Sequence, residues 1–587
     1  MLLTLAFFGW DKTEFTVNLE PFQIHAGAVD LIRIPYTHWE QRILAAKTMG
    51  LNTMVLQLNW NSFEKEDETF DFTSDQNNVN EFIRLCKSND MKVILRPGPQ
   101  SHTYTAFGGI PSRISFDNVS TRDLQNKEWV RSITSYIKAV SAVINENSED
   151  VAMIQIDQLT GIDEISSDYL RYLRQLFLQN GVFGPFMLLE SIYKFNSVEG
   201  MAIGLSGNPS ADQIEEAKKI SPNLPVFYGN HYTGDVTTYR SGPPQSRFVN
   251  LQPILKANQS FILFPFCGGS SFGFTASGIQ SQVYDTYTTS NDFGAPLTEN
   301  GYPTPQYNRL TRALTGSSQY KLKVLPMQTI DSFTMVKVGT LEGQNFINKG
   351  TFKDLPTFES QRQNEGLGIY EVQIPPNSSG NLALENVRDY AQVYIDGELV
   401  HTFNREINVG FNYMIKDTKS GRLQLVVDAS THQGFSGYAF EDDKKGVWGN
   451  NMFNSQKMHN FTLSLLDVEN FKPVEKLTPT NFTGGLFKAK FSTLKVDTYI
   501  DLKDFKKGYV FINNVNIGRY QNVNKDQSNN FYSRIYCPST YLNDGENILF
   551  VLDTLTVEES IQVSGVQLAF ACQEGYAEVG AECIKVE

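Results

Sequence analysis

The sequence predicts an α/β domain followed by all-β structure: a (β/α)8 TIM barrel, then two β-sandwich or jelly-roll domains. Strand-like and amphipathic helix-like segments alternate from near the start to about Leu314. That recurrence implies parallel strands joined by crossover helices. Its length suits a closed barrel, which takes about 250 residues. Beyond about Ser317 the helical pattern gives way to short alternating segments. The expected domains are residues 1–320, 321–470 and 471–587.

The elements follow in order. Trp39–Met49 is amphipathic, and Leu51–Leu58 reads as a buried strand. Val79–Ser88 is helical and Met91–Arg96 is the next strand. A helix over Trp129–Ile144, a strand over Val151–Ile156 and a helix over Tyr169–Asn180 continue the series. In such a barrel, function sits on residues at the C-terminal ends of the strands. In the second half, Asp396-Gly397 divides the alternating run Tyr390–Val400, a strong hairpin signal. Gly508–Gly518 repeats the pattern around Asn513-Asn514. The charged, Pro-containing stretch Leu465–Pro479 reads as the boundary between the two β-modules.

The net charge of −14 over 587 residues, with no Lys/Arg run, excludes a general nucleic-acid binder. No internal stretch reaches the roughly 20 apolar residues of a membrane span. Met1–Gly9 is apolar but short, and reads either as a minimal signal peptide or as a first buried strand. Cys86 and Cys267 lie in apolar sequence and read as buried thiols. Cys572 and Cys583 bracket a Gly-containing turn and are expected to form a disulfide. Sequons stand at Asn118, Asn258, Asn377, Asn460 and Asn481. A secreted or lysosomal/luminal location is the expectation.

Several motifs, in order along the chain, resemble glycoside hydrolase family 35, the β-galactosidases. Ala26–Pro35 is similar to the family's Ser-Gly-Ser-Ile-His-Tyr-Phe-Arg-Val-Pro. Gly50-Leu-Asn-Thr53, Trp60-Asn61 and Glu64 resemble its Gly-Leu-Asn-Thr…Trp-Asn-x-His-Glu-Pro. Ile94–Pro99 and Phe107–Pro111 follow its Leu-Arg-Pro-Gly-Pro…Gly-Gly-Leu-Pro. Gly268–Phe274 and Asp292–Leu297 look like its Gly-Gly-Thr-Asn-Phe-Gly and Asp-Tyr-Asp-Ala-Pro-Leu. Lys507-Gly508 and Asn516–Tyr520 look like its last, galactose-binding-like β-domain. The resemblance covers nearly the whole chain and implies a retaining hydrolase fold.

The resemblance fails at the chemistry. Retention needs two carboxyls about 5–5.5 Å apart, one an acid/base and one a nucleophile. The family's acid/base is the second Glu of Gln-Val-Glu-Asn-Glu-Tyr-Gly. The matching stretch here, Gln155–Gly161, places Leu159 at that position. The family's nucleophile falls on Asn230 in Gly229–Asp235, anchored by Thr233-Gly234. An amide is uncharged and cannot stabilise an oxocarbenium ion by charge. The sugar-orienting positions differ too: the family's Glu, His, Tyr and Tyr become Tyr104, Asp30, Gln57 and Phe293. Arg33, Pro35, Trp60, Arg96, Gly98 and Gly268-Gly269 keep the scaffold pattern.

The expectation is therefore a catalytically degenerate, β-galactosidase-like pseudoenzyme that binds a glycan or glycoprotein or acts as an interaction protein. No cofactor or metal is expected, and self-association would run through the β-modules. The alternative is an active hydrolase with displaced carboxylates, Asp157 and Asp235. Asp157 would share a strand face with Leu159, one step deeper. Asp163 and Glu164 read as solvated loop charges. His102, Asp157 and His231 form a conceivable acid–base or metal cluster, although their spacing is not a recognised metal motif. Gln158, Tyr232, Phe272 and Phe274 complete the candidate pocket. With Tyr104 and Phe293, the aromatics would either stack on a ligand or fill a vacated site.

Overall fold

The computed structural model describes residues 8–101, 105–158, 165–191, 198–234, 236–240, 247–280, 283–290, 294–317, 319–408, 410–434, 443–468, 470–523, 533–567, 576–579 and 582–585. Its first half is a closed barrel of eight parallel strands. These are β1 (His25–Asp30), β2 (Thr53–Gln57), β3 (Lys92–Arg96), β4 (Val151–Gln155), β5 (Phe186–Ser191), β6 (Met201–Ser206), β7 (Val226–Tyr232) and β8 (Phe261–Phe264). The short apolar runs suit strands buried on both faces. Several of the intervening helices are amphipathic and carry side-chain caps; Trp39–Met49, expected to be amphipathic, is instead buried around most of its surface and has no such cap. Asn78 caps Val79–Ser88, Asn126 caps Lys127–Glu146, and Ser166 caps Ser167–Gln179. Ser210 and Gln213 form a capping box on Ala211–Ile220.

Alternation along the strands separates two apolar layers. Val29, Met54, Leu56, Val93 and Leu95 pack outward against the helices. Ala26, Ala28, Val55, Ile94, Met153, Met187, Ala202, Phe227 and Ile262 fill the interior. An N-terminal hairpin, Phe8–Asp11 with Glu14–Val17, adds Phe8 and Phe15 to that interior cluster. The Phe15 ring meets Phe227 edge-on at 5.3 Å, near the N-terminal end of β7. Phe8–Asp11 is a strand, whereas residues 1–7, most of the apolar N-terminal segment, lie outside the described residues. Higher in the barrel, β6 and β7 approach closely: a Cβ on Gly229 would sit 2.5 Å from Gly204 backbone atoms.

The second half is antiparallel. A six-stranded and a four-stranded sheet enclose one core that includes Phe358, Leu382, Val393, Leu425 and Leu463. The turn at Asp396-Gly397 joins Tyr390–Ile395 to Glu398–Asn404, with φ of 52° and 87° at its two residues. Those left-handed values are what a two-residue hairpin requires. Asn513 and Asn514 serve likewise, at 50° and 68°. The last module is an eight-stranded sheet around Phe487, Val510, Ile535 and Val551. Ile330–Gly339, which lies within 321–470, pairs in this last sheet with Gly485–Thr493 and Ser560–Val566. The last module therefore takes a strand from before the first one and is not the single continuous stretch 471–587. Cys86, Cys267 and Cys537 are buried. Cys572 and the Cys583 side chain lie outside the described residues. Among the described residues, no helix is long and apolar enough to cross a membrane.

The barrel is tied to both modules. Phe272 packs on Tyr541 with ring centroids 5.4 Å apart, and Phe274 packs on Tyr509 at 5.3 Å. Glu299 lies buried in the same region, where Ser270 Oγ donates to its carboxylate at 2.8 Å. Burial raises its pKa from 4.5 to about 7. A carboxyl raised on folding adds stability that is full below its unfolded pKa and lost as pH rises through about 7. Glu299→Gln should therefore lose about 3 kcal/mol less stability than the wild type between acidic and mildly alkaline pH. Urea unfolding of both proteins across that range checks this.

Candidate functional site at the C-terminal end of the barrel

The C-terminal ends of the strands bring Asp30, Gln57, Arg96, Gln155 and Asn230 to one end of the barrel. Asn230, near the end of β7, is fully buried. Its Oδ1 accepts a hydrogen bond from Arg96 Nη2 at 2.9 Å. The same guanidinium donates to the Gly229 carbonyl at 3.2 Å and lies 5.9 Å from the centre of the Phe264 ring. Burial lowers the Arg96 pKa to about 9, which leaves it cationic at neutral pH. Gln57 sits opposite Arg96 in the β2–β3 register, and its Nε2 donates to the Arg96 carbonyl at 3.0 Å.

Asp30 ends β1. Both of its carboxylate oxygens accept from Asn59 Nδ2 at 3.1 Å, and Arg33 lies 3.8 Å away. Burial raises its pKa, against the opposing pull of Arg33 and Asn59. Asn59 also accepts from Ser101 Oγ at 2.6 Å. A carboxylate held this way orients the first turns after β1 and β2.

Asp157 does not continue the strand face. β4 ends at Gln155, and Asp157 has a φ of 51°, so the two-residue alternation no longer applies to it. Its carboxylate is fully engaged. It accepts from Arg122 Nε at 3.1 Å, from Gln158 N–H at 2.8 Å and from Gln100 N–H at 3.3 Å. Arg122 also donates to the Gln158 carbonyl at 2.7 Å. Gln158 is buried within that turn. Asp157 thus pins the segments after β3 and β4 together.

The remaining candidates separate. Tyr232 stands at the last residue of β7, half-buried, edge-on to Phe264 at 5.7 Å and 3.2 Å from Ser206 Oγ. The His231 ring meets Tyr228 at 6.1 Å, and Tyr228 belongs to the layer between barrel and helices. Burial lowers the His231 pKa to about 4, so the ring is neutral at physiological pH. Phe272 and Phe274, both half-buried, pack against Tyr541 and Tyr509 of the last module. His102, Tyr104, Leu159, Asp163, Glu164, Asp235 and Phe293 lie outside the described residues. The His102/Asp157/His231 cluster and the Asp157–Asp235 separation fall with them.

Arg122 was not among the sequence candidates, and Arg96 stood there only as scaffold. Arg96 carries a signal in its Leu-Arg-Pro-Gly-Pro context, whereas Arg122 lies in a loop with no motif.

Comparison with known proteins places this geometry. The model described as "Glycosyl hydrolases family 35" matches residues 14–316, just over half of the chain. The chain belongs to glycosyl hydrolases family 35. Two further models match in sequence order: the first all-beta domain of beta-galactosidase at 356–467 and its galactose-binding domain at 482–547. Among curated relatives, "Beta-galactosidase-1-like protein 3" of Rattus norvegicus is 23% identical, over 92% of this chain and 89% of its own length. A "Beta-galactosidase" of Xanthomonas manihotis is 25% identical, over 88% and 90%. The "Beta-galactosidase" of Mus musculus is 23% identical, over 97% and 93%. The likeness of this family 35 chain to these relatives runs over most of both lengths at low identity.

Proposed function

We propose that this family 35 protein is a non-catalytic member that binds a glycan or glycoprotein at the C-terminal end of its barrel. The observation that carries the reading is Asn230. It occupies the position where the family resemblance puts the nucleophile, and it is buried and held by Arg96. A buried amide bonded in this way supplies neither a nucleophilic oxygen anion nor negative charge for an oxocarbenium ion. Leu159, at the position of the acid/base, has no proton to give. The engagement of Asp157 with Arg122 and two backbone N–H groups supports the same reading, because it makes that carboxylate a structural tie. A secreted or luminal location and self-association through the β-modules belong to this proposal.

The test is hydrolysis of 4-nitrophenyl β-D-galactoside. The purified protein should release nitrophenol at the uncatalysed rate across acidic and neutral pH. Turnover that disappears in Asp157→Asn or Asp235→Asn would instead establish displaced catalytic carboxylates.

A further inference from the structure

Arg96 is a buried cation whose hydrogen-bond partners are all neutral. Among the described residues, its guanidinium donates to the Gly229 carbonyl and the Asn230 amide oxygen, with Phe264 beside it. Nε and Nη1 are buried and make no hydrogen bond. Nδ2 of Asn230 and Oε1 of Gln57 and of Gln155 are in the same condition. Arg42 and Arg519 are also buried on neutral acceptors, the Glu299 and Tyr287 carbonyls among them, but both stand away from the strand ends, and other cations here are matched with carboxylates. Arg405 lies 2.7 Å from Asp443, Lys445 lies 3.0 Å from Asp389, and Arg122 lies 3.1 Å from Asp157. Among the described residues, Arg96 has no such ion pair.

Leaving a buried charge uncompensated costs several kcal/mol. A neutral ligand satisfies hydrogen bonds at such a site but leaves the charge. A ligand with one negative charge satisfies both, through charge-assisted bonds that are roughly twice as strong as neutral ones. Arg96 Nη1 and Nε with Asn230 Nδ2 offer donors only, which matches a carboxylate, and the neighbouring amides Gln57 and Gln155 match hydroxyls.

We propose that this end of the barrel selects a singly charged acidic sugar, a hexuronate whose carboxylate is received by Arg96 and Asn230, over the corresponding neutral hexose. This rests on the binding reading above and names the ligand class for the same site.

Titration calorimetry on the full chain at neutral pH and low salt tests it, with D-galacturonate, D-galactose and acetate as probes. Galacturonate should bind at least about tenfold more tightly than galactose or acetate. Arg96→Gln should abolish that preference. Asn230→Glu places a carboxylate beside Arg96 inside the protein, so it should also abolish the preference while keeping the far-ultraviolet circular dichroism of the wild type and melting no lower than it. That variant decides the question if Arg96→Gln does not fold. Galactose binding as tightly as galacturonate, acetate binding as tightly as galacturonate, no binding of any probe, or an undiminished preference in Asn230→Glu would each overturn the proposal. The galactoside assay is scored separately. A protein that cleaves the aryl galactoside yet prefers galacturonate loses the non-catalytic reading and keeps this one.

Discussion

Replacing Lys445 with Met is expected to destabilise the protein by about 3–5 kcal/mol. Lys445 is fully buried, and its Nζ lies 3.0 Å from Asp389 and 3.3 Å from Asp443. Arg405 reaches the same two carboxylates at 2.9 and 2.7 Å. Burial alone would raise both carboxyls, but Lys445 and Arg405 hold Asp443 far below the usual range and Asp389 below its ordinary value. Removing one cation leaves two buried carboxylates sharing the other. The cluster also bears on the barrel: Arg405 stacks 3.8 Å from the centre of the Tyr284 ring, and His432, 3.6 Å from Asp443, stacks on Phe107 at 4.0 Å. The loss should therefore loosen the seam between barrel and first β-module as well as the module itself. Urea unfolding at neutral pH measures it, and Lys445→Arg, which keeps the charge, should lose less. Because both carboxyls are depressed, their contribution is present above about pH 4 and is lost as pH falls below it. The gap between wild type and Lys445→Met should narrow there.

Asp157→Ala is expected to cost about 3 kcal/mol of stability and to leave hydrolysis at background. The carboxylate is buried and compensates Arg122, which the substitution would strand with little solvent around it. It also satisfies the N–H groups of Gln100 and Gln158 in two adjacent turns. A displaced catalytic carboxylate predicts the reverse pattern, an unchanged fold and a lost activity. Measuring both quantities on one preparation separates the two roles.

Local patterns carried the architecture. The apolar run at Leu51–Leu58 contains β2, and the Asp396-Gly397 and Asn513-Asn514 turns have the left-handed backbone those residues tolerate. What depended on distant partners was not legible. Ile330–Gly339 alternates like any strand, and nothing local says that its neighbours lie at 485–493 and 560–566. Phe274 follows Gly-Gly in a barrel motif, yet its ring is claimed by Tyr509, more than two hundred residues away. Asp157 differs for another reason: strand alternation ends at Gln155, and at Asp157 the backbone is left-handed, which the residue types alone do not reveal. The Asn230 substitution was visible as a residue type. Its consequence for Arg96 was not, because burial and the lack of a counter-charge are properties of the assembled barrel.

On the proposed non-catalytic reading, no carboxylate at the C-terminal end of the barrel acts as a nucleophile. The most direct test of that reading is the intact mass of the protein after prolonged incubation with 2-deoxy-2-fluoro-β-D-galactosyl fluoride, which traps the glycosyl ester of a retaining enzyme. An unchanged mass is expected. A stoichiometric adduct mapped to Asp157, Asp235 or any other carboxylate at the C-terminal end of the barrel would contradict it.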